Sequence, residues 1–107
     1  MKQIKCSDFE KEVIENEKKV IVLFTNEWSG SAIIVEGALD ELQKKWNNKF
    51  QFIKMSKDEC QKVGEEYKIR FTPTILIFKN GSVIEEITGV KSRITIENVL
   101  ENLDSMP

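Results

Sequence analysis

The sequence predicts an α/β domain: a central mixed sheet, mainly parallel with an antiparallel C-terminal hairpin, flanked by about four helices. Three observations carry this. Helix-spaced and strand-like segments alternate through most of the chain, which calls for parallel strands joined by crossover helices. The run "VIVLF" at 20–24 is unbroken and apolar, the pattern of a strand buried on both faces. Asn80-Gly81, set between two β-rich runs, is a strong hairpin signal.

Taken in order, Ser7-Asp8-Phe9-Glu10 reads as a capping box opening a helix to about Asn16. After the strand at 20–24, apolar residues move to helical spacing from Ser31 through Val35, Ala38, Leu39, Leu42 and Trp46. Asn47-Asn48 ends that helix, and Phe50, Phe52 and Ile53 form a second buried strand. Ser56 to Glu59 is another capping box, opening a short helix that carries Cys60, Val63 and Tyr67. Strands at 75–78 and 83–88 flank the hairpin turn, and a last helix aligns Ile96, Val99, Leu100 and Leu103. The predicted order is α-β-α-β-α-β-β-α, as one domain over 1–107 without repeats or linkers.

Composition narrows the function. With 107 residues, 40% hydrophobic and 32% charged, the chain has an ordinary globular balance. A formal charge of −2 gives no electrostatic footprint for nucleic acid or a membrane surface. No apolar stretch reaches 18 residues and no signal-peptide core follows the charged N-terminus, so a cytoplasmic protein is expected. There is no histidine, which removes Ser-His and Cys-His nucleophile pairs. The two cysteines, Cys6 and Cys60, cannot make a four-thiolate metal site, and no metal or cofactor is expected. A reducing compartment argues against a disulfide between them.

Several motifs now meet. Trp28-Ser29-Gly30-Ser31-Ala32 follows a buried strand, Thr72-Pro73-Thr74 precedes the next, and "FKNGSVIEEITG" follows that. Together with the order of elements, from about Phe9 to Leu103, they resemble the thioredoxin family. The resemblance implies the thioredoxin fold and protein-disulfide oxidoreductase activity through a WCGPC loop. Here the attacking position is Ser29 and the resolving position is Ala32. A serine hydroxyl is barely ionised near neutral pH and cannot form a disulfide, so exchange through this loop is excluded. Ser29 and Ser31 are suited instead to capping the following helix.

Other changes accompany the lost sulfurs. The family's buried acid falls on Leu23, the motif's proline on Ser31, the following basic residue on Ile33 and the helix-kinking proline on Gly37. A buried carboxylate costs several kcal/mol, so leucine is favoured once no thiol needs deprotonation. Lys54, the acid's usual basic neighbour, is expected to lay its stem along the surface with its ammonium in water.

The resemblance also implies a peptide groove built by Trp28, a cis Thr72-Pro73 bond and Gly89-Val90. Ile33 is expected to be exposed, with Phe71 beside it. The leading expectation is therefore a redox-inactive module that binds a protein or peptide segment through Trp28, Ile33, Phe71, Thr72, Pro73, Gly89 and Val90. Two alternatives stand: a thiol-dependent oxidoreductase or redox sensor using Cys60, and a self-associating homodimer. Cys6 is expected to form at most adventitious intermolecular disulfides.

Overall fold

The computed structural model describes residues 1–26 and 30–106; Trp28 and Ser29, singled out above, lie outside the described residues. Five strands, β1 (Lys2–Gln3), β2 (Lys19–Thr25), β3 (Phe50–Ser56), β4 (Thr74–Lys79) and β5 (Ser82–Thr88), form one sheet in the order β1-β3-β2-β4-β5. β1, β3 and β2 run parallel, whereas β4 is antiparallel to β2 and to β5. The helices are α1 (Gly30–Trp46), α2 (Gln61–Glu66) and α3 (Arg93–Asp104).

β2 shows why the apolar run predicts a central strand. Successive side chains alternate between faces, so Ile21 and Leu23 enter one core while Val20, Val22 and Phe24 enter the other. The first core is closed by Val35, Leu39 and Trp46 of α1 with Ile96, Leu100 and Leu103 of α3. The second is closed by Ile4, Phe9 and Val13 of the N-terminal segment with Cys60, Val63 and Ile69. Trp46 keeps its indole N–H satisfied by donating to Glu97 Oε2 at 3.0 Å. The hairpin turn holds Asn80 at φ 51° and Gly81 at φ 82°, the left-handed pair that a two-residue turn requires.

Three local expectations are corrected. Residues 6–14 are not an α-helix: Cys6–Asp8 form a 3₁₀ turn and Glu10–Ile14 a π-helical turn, with Glu15 N–H donating to Glu10 O at 2.9 Å. The cap lies earlier than Ser7, where Lys5 N–H donates to Asp8 Oδ2 at 3.3 Å. Cys60 stands at the N-cap of α2 rather than within it, because residues 57–59 form a turn in which Glu59 N–H donates to Ser56 Oγ at 3.4 Å. β1 was not anticipated; two residues are too few to show a periodicity.

Candidate functional site

Strand register places several loops at one end of the sheet. Thr25, the last residue of β2, pairs with Ser56, the last of β3, and Lys57 N–H donates to Thr25 O at 2.8 Å. Phe24 pairs with Thr74, the first residue of β4, which in turn pairs with Thr88. The loops after β2 and β3, the segment before β4 and the loop after β5 therefore share this end. β1 joins them, running parallel to β3 with Gln3 opposite Lys54, and Ile4 N–H extends the ladder to Lys54 O at 3.1 Å.

Two residues beyond Ile4 the chain reaches Cys6, and four beyond Ser56 it reaches Cys60. The two are joined by a disulfide, with Cα atoms 5.1 Å apart across a sequence separation of 54. That Cα distance lies within the range a disulfide spans. Cys6 opens the 3₁₀ turn and is exposed, whereas Cys60 is 3% exposed and packs in the second core. Its backbone is held on both sides, Cys60 N–H donating to Lys57 O at 3.3 Å and Gly64 N–H to Cys60 O at 3.2 Å. Nearby Tyr67 packs edge-on to Phe78 with ring centroids 5.3 Å apart. Burial, and then the carboxylate of Glu66, push its phenol above the ordinary value, so it stays neutral through the physiological range.

This bond corrects the expectations for the cysteines. A reducing compartment predicts two reduced thiols, with at most intermolecular disulfides at Cys6; the fold instead brings Cys6 and Cys60 into a bond within the chain. Cys60 is buried and is not a free thiol. Cys6 was missed as a partner because 54 residues separate the pair and β1, which carries Cys6 to the site, has no sequence signature. The signal that was present is Ile4, an apolar residue between lysines, which sinks into the core and sets the entry to Cys6.

At the motif itself, Gly30 begins α1, Ser31 is exposed in its first turn and Ala32 is buried. Leu23 is fully buried in the first core, as expected of a leucine replacing a buried acid. Lys54, opposite Leu23 in the β2–β3 register, does not simply reach into water: its Nζ lies 2.6 Å from Glu36 Oε2 on α1. Ile33 is 72% and Phe71 67% exposed, and Ile34 at 63% is exposed as well. The Thr72-Pro73 bond is cis, Gly89 N–H donates to Pro73 O at 2.9 Å, and Val90 is exposed. Phe71 O accepts from Thr74 Oγ1 at 2.6 Å. Among the described residues, no group of three or more His, Cys, Asp or Glu side chains is placed to hold a metal, and no helix is long and apolar enough to cross a membrane.

A mixed five-stranded sheet with helices on both faces and a disulfide at the carboxyl ends of its parallel strands defines a class of α/β proteins that carry a cysteine pair on loops. Comparison with known proteins gives the family. The thioredoxin family profile matches residues 1–102. The chain is 31% identical over 99 residues to Thioredoxin 1 of Nostoc sp., covering 92% of each protein. It is 37% identical over 87 residues to the thioredoxin of Rickettsia felis, covering 81% of this chain and 83% of that one. It is 29% identical over 99 residues to the thioredoxin of Synechocystis sp., again covering 92% of each. The chain belongs to the thioredoxin family.

These findings overturn the leading expectation of a redox-inactive binding module. It rested on the absence of sulfur at residues 29 and 32, yet the chain's two cysteines form a disulfide within a domain whose relatives are thioredoxins. The absence of sulfur at residues 29 and 32 therefore does not leave the chain without a bonded cysteine pair.

Proposed function

We propose that this protein is a thiol–disulfide redox protein whose working pair is Cys6 and Cys60. The observation that carries this reading is the Cys6–Cys60 bond in a thioredoxin-family domain with no sulfur at residues 29 to 32. The pair cycles between disulfide and dithiol. Two electrons and two protons from a partner dithiol cleave the Sγ–Sγ bond to two thiols, and the partner is left as a disulfide. Run backwards, the same exchange oxidises this pair and reduces a partner disulfide.

The test is a redox titration. The chain is equilibrated against graded mixtures of reduced and oxidised dithiothreitol, quenched with a thiol-alkylating reagent and weighed intact. The expected result is one reversible two-electron transition in which both cysteines are alkylated together, with turnover on a disulfide substrate that Cys60→Ala abolishes. A pair that keeps one state across every mixture, or equal turnover by the wild type and by Cys60→Ala, overturns the reading.

A further inference from the structure

The two sulfurs are not equivalent. Thiol–disulfide exchange depends on which sulfur an incoming thiolate can reach and which one leaves. Cys6 is exposed, whereas Cys60 is 3% exposed and packed among Ile4, Phe9 and Val63. A cleft of about 310 Å³ opens on Cys6, walled by Phe9 and Glu10 of the N-terminal segment and by Lys62, Val63 and Glu66 of α2. Cys60 does not line it.

We infer that Cys6 is the exchanging sulfur and Cys60 the resolving one, and that the cleft beside Cys6 receives a small peptide thiol carrying both ammonium and carboxylate groups. This rests on the redox function proposed above. The cleft stands at the lower end of small-molecule sites, roughly 300–1,000 Å³, which suits a short peptide. Its walls match such a ligand: Lys62 offers an ammonium to a carboxylate, Glu10 and Glu66 offer carboxylates to an ammonium, and Phe9 and Val63 supply apolar surface.

In the reducing direction a thiolate of the peptide attacks Cys6 Sγ. A peptide–Cys6 bond forms, the Sγ–Sγ bond breaks, and the electron pair leaves on Cys60 Sγ, which takes up a proton. A second peptide thiolate then attacks the peptide sulfur of that mixed disulfide, forming the peptide disulfide and releasing Cys6 as a thiolate, which is protonated. In the oxidising direction Cys6 thiolate attacks a peptide disulfide, expelling one peptide thiolate. Cys60, as thiolate, then attacks Cys6 Sγ, restoring the protein disulfide and expelling the second.

The probe is glutathione disulfide, offered to the reduced Cys60→Ser and Cys6→Ser variants and followed by intact mass and peptide mapping. Cys60→Ser is expected to acquire one adduct, on Cys6, about ten times faster or more than Cys6→Ser acquires one on Cys60, because access controls thiol reactivity. Equal or faster labelling of Cys60 overturns the assignment. The reduced wild-type chain, acid-quenched early in the reaction, checks this without any substitution: the transient adduct is expected on Cys6, and an adduct on Cys60 overturns it. On the Cys60→Ser background, Lys62→Glu is expected to slow glutathione disulfide about 2- to 5-fold relative to uncharged hydroxyethyl disulfide, the scale of one exposed ion pair. An unchanged ratio overturns the peptide-thiol cleft. A wild-type pair that exchanges with no dithiol refutes the redox function itself, an outcome distinct from an adduct on the wrong sulfur.

Discussion

Two corners at one end of the sheet can be set side by side. At the start of α1, the position of the family's buried acid is Leu23, fully enclosed in the first core, and the ammonium of Lys54 opposite it turns to Glu36 on α1. Across the edge strand β1, Cys6 and Cys60 are covalently joined, one sulfur exposed and the other embedded in the second core. The first corner is apolar packing beside a largely buried ion pair. The second holds a sulfur pair with, among the described residues, no charged residue in the core beside it. Loops leaving the carboxyl ends of parallel strands are held firmly at their roots yet free in composition, so a reactive group can sit on any of them.

The comparison breaks most visibly at Leu23. Leu23→Asp removes a fully buried apolar side chain and inserts a carboxyl with no water around it, and is expected to destabilise the fold by about 4 kcal/mol or more. Exchange at Cys6–Cys60 should persist in the molecules that remain folded, because Leu23 packs in the first core and Cys60 in the second. Denaturant unfolding with parallel thiol counting checks both. An unchanged midpoint would show that the motif corner still accommodates an acid.

Reduction of the disulfide comes next. Closing a loop over a separation of 54 residues removes unfolded-state entropy worth about 4 kcal/mol at most, with 2–4 kcal/mol typical. The reduced chain is expected to melt about 10 °C below the oxidised one. A melting curve with and without reductant reads this directly, and coincident curves would mean that the second corner carries no structural constraint.

The smallest effect lies away from both corners. Glu97 accepts from Lys45 Nζ at 2.8 Å and from the Trp46 indole at 3.0 Å. The hydrogen bond from Lys45, then that from Trp46, holds its carboxyl below the ordinary value of 4.5, while the same contact raises Lys45. A carboxyl lowered in the folded state adds stability above its unfolded value and loses it as pH falls through the folded one. Glu97→Gln should therefore melt slightly below the wild type at neutral pH, the gap shrinking to nothing well below 4.5. A gap that widens in acid would reverse the sign.

Much of this molecule was legible in the chain. The apolar run at 20–24, the helical spacing from Val35 to Trp46 and the Asn80-Gly81 turn are local patterns, and each became the element expected. Leu23 burial follows from the same apolar run, whereas Ile33 exposure follows from the resemblance, which sets a solvated basic residue at that position. The helix that the capping box at Ser7 predicts to about Asn16 does not form, because a capping box is only a preference, outweighed where Phe9 and Val13 pack on the sheet and Cys6 is tied to Cys60.

By itself the sequence determined the class of fold, the two-sided core and the impossibility of dithiol exchange at residues 29 to 32, because hydrophobic period, turn chemistry and the absence of sulfur are properties of the chain read along its length. Only the tertiary structure decided that Cys6 meets Cys60, that one sulfur is open and the other enclosed, and that Lys54 turns to Glu36. Those are facts of distance and burial between residues remote in sequence, and register and packing create them only when the sheet assembles.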